Sequence, residues 1–441
     1  MRVFAAALAV FVFFQSDGAP RPELAIHHVR IVHGDGRITA SASVLVSGGR
    51  ISRIVPTVSG QALPHAAREI DAPGRTLLPG LIDAHVHVTD WALPLFLRYG
   101  VTTVRDLHND PRYILQLARD DGPERPSIVA AGALLDGPGS PWPNAIEVAS
   151  LGDARTAVRR QVEAGVGVIA VSTRLHPALI AVIVQEARAR GLPVAAQAGQ
   201  STANEAAAAG ITSLEQLSGV SDAASDDPDR LRRAHGSLME GWTASEREWL
   251  RVTPDRLAQV AANLVRSGVT AVPTLVLHEA RGRLGDSNLK SDSALASVPA
   301  TVIAGDWNPA SILARNGWTP AILLDFKRAL PLQQQFVQRF ARAGGRVVAG
   351  TDTPQPYVLP GVSLHRELQL LVASGLSPAA AIRSATVDAA DLLGVSDRAG
   401  SVSIGKAADL VVVDGDPLTD IRATMRIVLV VRAGRVVYRA P

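Results

Sequence analysis

The stretch LLPGLIDAHVHV, residues 77–88, decides the reading of this chain. Leu77 to Ile82 is an apolar run framed by Pro79, Gly80 and Asp83, the pattern of a buried strand bounded by turn formers. Side chains at i and i+2 of a strand share a face, so His85 and His87 point the same way. Two neutral imidazoles converging at a strand end are half of a zinc or iron site. Two core histidines in chance register is the competing reading, and the strand context disfavours it.

Downstream, short apolar strands alternate with helical patterns. Strands are predicted at residues 77–88, 100–106, 126–135, 166–173, 193–198, 211–217, 270–277 and 346–352. HPALIAVIVQEARARG (176–191) and TPDRLAQVAANLVRSG (253–268) read as helices closed by glycine. Eight β/α repeats over about 270 residues predict an α/β fold, a TIM-type (β/α)8 barrel. A doubly wound open sheet competes, but no phosphate-binding glycine fingerprint follows the first strand. Barrel chemistry sits at the C-terminal strand ends. His85 and His87 end strand one, and Asp352, in VVAGTD, ends strand eight, its neighbour in a closed barrel.

Residues 24–55, 400–417 and 425–440 alternate apolar and polar positions between glycine-rich turns, which suits antiparallel sheet. Both chain ends are therefore expected to form one small composite β-sandwich domain, residues 22–76 with 396–441, around a barrel at 77–395. Residues 1–20 carry Arg2, an apolar run from Val3 to Phe14, and small Ser16, Gly18 and Ala19. That layout predicts a signal peptide, a periplasmic or secreted protein, and no integral membrane span in the mature chain, with an uncleaved N-terminal anchor as the lesser alternative. The absence of cysteine excludes disulfides and a lipidated N-terminus. With 47% hydrophobic and 19% charged residues, the 441-residue chain is not a disordered one. A net charge of +3 from scattered arginines argues against nucleic-acid binding. The expected partner is a small-molecule substrate; homo-oligomerisation stays open.

PGLIDAHVHV, GVTTVRDL, AGTD, SLHRELQLLVASGLSPAAAIRSATVDAADLLG and GSVSIGKAADLVVVDGDPL together resemble the amidohydrolase superfamily, in its imidazolonepropionase-like and Xaa-Pro dipeptidase-like branch. The resemblance implies a barrel plus a split β-sandwich, one or two divalent metals, and hydrolysis of C–N or related bonds. It implies as ligands a strand-one His pair, a strand-four carboxylated Lys, a His on each of strands five and six, and a strand-eight Asp. His85, His87 and Asp352 match; Ala170, Gln197 and Gln216 stand at the other positions, so the binuclear site is degenerate. Alanine offers no ligand atom and amide oxygens are weak zinc ligands, so a two-metal mechanism is not expected. His85, His87 and Asp352 plus water match the count of one catalytic zinc, which would lower the water's pKa towards about 7. Asp352 would then shuttle the proton to the leaving nitrogen. The expected activity is hydrolysis of an amide, cyclic amide or carbamate C–N bond. The alternative is a metal-free pseudoenzyme that binds a small molecule or partner without turnover.

Other residues carry weaker signals. His108, His176 and His278 lie near strand C-termini and read first as loop or capping histidines. His365, in SLHREL, is expected to tie helix to loop; Arg105 with Asp106 at the barrel mouth either orients the site or braces the loop, bracing being the favoured reading. His27, His28, His33, His65 and His235 read as inert. All six tryptophans (91, 142, 242, 249, 307 and 318) follow strand ends, and segments 218–250 and 278–320 are long for barrel loops. A pocket using Trp142, Trp242, Trp307 and His278 for an apolar moiety is one expectation, pinning of the long loops the other.

Overall fold

The structure, a computed structural model, describes residues 22–58, 62–291 and 293–441. The predicted signal peptide at residues 1–20 lies outside the described residues.

The first barrel strand is Leu81–Val86, followed by Val101–Asp106 and Ser127–Ala130 in one parallel sheet. A second parallel sheet runs through Ile169–Val171, Val194–Ala196, Ser213–Glu215 and Thr270–Val272. Backbone hydrogen bonds carry the pairing between the two sheets. Gly167 N donates to Ala130 O at 2.9 Å, Val348 N to Ala271 O at 2.9 Å, and Ala84 N to Ala349 O at 3.1 Å. Residues 346–352, read as a full strand, contribute only parallel bridges at Val347 and, just beyond, Thr353.

Inside, Ile82, Ala84, Val129, Val168, Ala170, Ala195, Val272 and Val348 form one apolar cluster with the helix Val387–Leu392 beneath. Small side chains dominate because the strands approach closely. A Cβ added to Gly350 would meet Val272 Cγ1 at 2.6 Å and the His85 backbone N at 3.1 Å. Outside, a larger apolar cluster joins strands to helices such as Pro177–Arg188 and Pro254–Arg266, the two helices read in the sequence.

The expected strand 77–88 divides at Gly80. Arg75–Pro79 leaves the barrel and pairs antiparallel with Leu410–Asp414, whereas Leu81 onward pairs within the barrel. Gly80 passes against Thr102, whose hydroxyl would lie 2.0 Å from an added Cβ, so no larger residue fits the crossing.

Both chain ends build one separate, mostly antiparallel eight-stranded sheet. Its order is Arg435–Arg439, Ile427–Arg432, Leu410–Asp414, Arg75–Pro79, Leu24–Val32, Ile38–Ser47 and Arg50–Pro56, with Arg68–Asp71 paired beside Leu24–Val32. The sheet curls until Arg50 bridges Ala407, and Val44, Val46 and Ile51 share a core with Leu410, Val412 and Leu429. The two facing layers are thus parts of a single sheet. Segments 218–250 and 278–320 are not loops but short helices, among them Leu238–Glu248, Leu275–Gly282 and Pro309–Asn316. No described helix is long and apolar enough to cross a membrane.

Candidate metal centre

The first strand breaks register between Asp83 and Val86. Ala84 packs into the interior layer, and the shift turns His85 and His87, rather than Val86, towards the cavity at the barrel mouth. Asp83 holds this segment from behind, accepting from Thr351 N at 3.0 Å, Thr351 Oγ1 at 2.7 Å and His85 N at 3.3 Å. Burial raises its carboxyl to about 7, against these bonds. Asp352 follows in the left-handed region, φ 65°, its amide bonded to His85 O at 2.8 Å.

The three side chains converge. His87 Nε2 lies 3.0 Å and His85 Nε2 3.2 Å from the same oxygen, Asp352 Oδ1. Gln216 Nε2 donates to the other oxygen, Oδ2, at 2.9 Å. On their far sides, His85 Nδ1 meets Glu215 Oε2 at 2.8 Å and His87 Nδ1 donates to the His108 carbonyl at 3.1 Å. Both rings thus spend their Nδ1–H outward and turn Nε2 to a carboxylate, an arrangement satisfied by a proton on Nε2 or by a metal ion between the groups. His85 Nε2 is buried without a hydrogen-bond partner. Burial opposes charge on both imidazoles, yet the Asp352 carboxylate outweighs it; Glu215 adds to this, and His85 is raised to about 9. Burial would raise Asp352 too, but the two imidazoles hold it well below the usual carboxylate range. These three groups are able to hold one metal ion.

Behind His85, Glu215 is fully engaged. Arg105 Nη2 donates to its Oε1 at 2.8 Å, Ser213 Oγ donates to the same oxygen, and Arg105 Nε reaches Ala84 O at 2.6 Å. Arg105 therefore does more than brace a loop; it neutralises the carboxylate that holds His85. Asp106 does hold the mouth, accepting from Val88 N at 2.6 Å and Asn109 Nδ2 at 3.0 Å. Sequence reasoning missed Glu215. Its signal was a lone glutamate inside a short parallel strand, where both faces are buried.

Ala170, Gln197 and Gln216 line the same cavity as His85, His87 and Asp352. So do His108, Trp142 and Trp242. Burial, with His87 nearby, lowers His108 to about 4. Trp307 is not among the lining side chains: it is 2% exposed and packs on Trp91 and Tyr357. His278 stands one layer back, bonding Gln216 O at 3.1 Å and Glu246 at 2.8 Å. His235 is no inert loop residue, for it is buried at the cavity between Asp222 and Ser245, each 3.1 Å away. His176 occupies the N-cap position of Pro177–Arg188 without a capping bond. His365 joins its helix to Thr424 and to the Tyr99 carbonyl, both at 3.0 Å, away from the centre.

The parallel α/β barrel thus gathers, at its C-terminal mouth, two imidazoles and a carboxylate able to hold one metal ion. A sequence model of the amidohydrolase family matches residues 76–437, and the chain belongs to that family. A putative prolidase from Bifidobacterium longum shares 28% identity and a TM-score of 0.69 over 95% of this chain and 96% of that one. The adenine deaminase of Listeria monocytogenes is 32% identical over 127 residues, 27% of this chain and 20% of that enzyme. The imidazolonepropionase of an Arthrobacter species is 46% identical over 52 residues, 12% of each chain. The chain thus matches a fifth or less of these curated relatives' lengths.

Proposed function

We propose that the chain is an exported, single-metal amidohydrolase that cleaves an amide, cyclic amide or carbamate C–N bond, with His85, His87 and Asp352 as its metal ligands. The observation that carries this reading is the aim of both Nε2 atoms at one Asp352 oxygen, with both Nδ1 atoms already held by acceptors. Ala170 has no ligand atom, and Gln197 and Gln216 offer only amides, which supports one ion rather than two. Two imidazoles and a carboxylate suit zinc.

When bound, the ion supplies Lewis acidity towards water and the scissile carbonyl. The chain's own groups do the rest. Glu215 fixes the His85 tautomer, and the His108 carbonyl fixes that of His87. Gln216 holds Asp352 Oδ2, keeping the carboxylate oriented to take a proton from water and return it to the leaving nitrogen. The apolar lining, including Leu107, Leu134 and Trp142, limits solvent around these groups. Export rests on the layout of residues 1–20, and the two chain ends form an accessory domain beside the catalytic barrel.

The empty ligand types at Ala170, Gln197 and Gln216 favour one second reading, a barrel that binds a small molecule without turnover. Elemental analysis of the untagged protein separates the two. About one zinc per chain, lost in His85→Ala, is expected; metal well below one per chain, unrestored by zinc or manganese, sinks the hydrolase.

A further inference from the structure

Arg281 lies three residues after His278 on the helix Leu275–Gly282, so the two side chains share a helix face. Trp242 receives both. The Arg281 guanidinium sits 3.9 Å from the centre of the indole, and the His278 ring stacks on it at an interplanar angle of 21°. Arg281 lines the cavity that holds His85, His87 and Asp352. Among the described residues it has no ion-pair partner, and its Nη1 is buried with no hydrogen bond.

The carboxylates whose charge acts on Arg281 are already engaged. Asp352 serves His85, His87 and Gln216, and Glu246 takes His278 and both Gln333 bonds. The arginines that are fully buried are paired, Arg105 with Glu215 and Arg432 with Asp409. An arginine held by its face on an indole keeps its edge donors free, and that planar fork matches a carboxylate. Around it the cavity is largely apolar, with Leu134, Trp142, Leu238 and Met239 on its walls.

We infer that Arg281, set over the Trp242 ring, anchors a carboxylate carried by the substrate, whose apolar body packs on Leu134, Trp142 and Met239. The substrate class narrows to carboxylate-bearing amides such as N-acyl amino acids, at the expense of neutral cyclic amides and carbamates. The inference rests on the hydrolase reading for its reaction and on Arg281 alone for its binding.

The test is calorimetric titration of the full chain with benzoylglycine and acetylphenylalanine, each beside its primary amide. At least one acid is expected to bind wild type about tenfold or more tighter than its amide. Arg281→Met should bring acid and amide to within about twofold while leaving the amide's affinity in place, and Arg281→Lys should restore part of the gap. Circular dichroism checks folding, and if the Met variant fails it, the Lys variant and the wild-type acid-to-amide ratio still decide. No acid favoured over its amide in wild type, or a preference untouched by Arg281→Met, overturns the anchor. Turnover is assayed separately. An acid bound through Arg281 but left uncleaved whichever divalent metal is added removes the hydrolase and keeps the anchor; an acid that is cleaved, yet bound no more tightly than its amide by wild type and Arg281→Met alike, does the reverse.

Discussion

Glu215 and Arg105 are each 1% exposed, a charge pair held inside the barrel wall with His85 on the far side of the carboxylate. Removing one member leaves the other charged and unpaired. Arg105→Leu is expected to cost about 3–5 kcal/mol in urea denaturation, with the Arg105→Leu/Glu215→Leu double variant recovering part of it. Glu215→Gln keeps the shape but removes the charge that orients His85. Zinc affinity should fall about 10–100-fold, read by competition with a chelator; an unchanged affinity would separate Glu215 from the metal. His85, His87 and Asp352 were legible in the sequence because motif and topology place them together. Glu215 and Arg105 were not, since a charged residue in a three-residue strand looks solvent-facing until both faces are seen to be covered. His235 was missed for a related reason, because only the folded Leu238–Glu248 insertion buries it.

Among the elements, Leu275–Gly282 departs furthest from its sequence signal. VPTLVLHEA is a short apolar run, and periodicity alone does not separate strand from helix in such a run. Its N-cap, Thr274, sits at φ 46° and makes no capping bond; the cap comes from Glu367 on the helix Val362–Ala373, whose Oε2 accepts from Val276 N at 2.8 Å. Burial raises Glu367 to about 8, against an unfolded value of about 4.3. The folded state thus keeps a proton that the unfolded state has released, and its stability falls as pH climbs from about 4.3 to about 8. Glu367→Gln retains an acceptor for Val276 and loses that dependence. Its melting temperature should gain on wild type between pH 5 and pH 8; parallel curves would show that Glu367 does not titrate there. On the barrel wall, Gly350→Ala pushes a Cβ against Val272 and His85 and should destabilise by about 1–3 kcal/mol while weakening zinc uptake, both measurable on one preparation.

For the whole molecule, Arg432 is the tie between sheet and barrel. It is 3% exposed, pairs with Asp409 at 3.2 Å, and bonds Ser127 Oγ at 2.9 Å, the Arg125 carbonyl at 3.2 Å and Asp121. Arg432→Leu strands Asp409, whose carboxyl burial already raises, and should cost about 3–5 kcal/mol by thermal or urea unfolding. The alternation at both chain ends made the shared sheet legible, but not its curl, since nothing in a period-two pattern says that Arg50 will meet Ala407. Thr76 Oγ1 bonds Gly415 O across 339 residues of sequence, inside the strand pairing that joins the two ends. That seam makes assembly a race the chain cannot finish early: Arg75–Pro79 waits for a partner synthesised far later. Every nascent or shortened form ending before Leu410 carries an open edge of Leu77 and Leu78, primed to pair with a neighbouring copy.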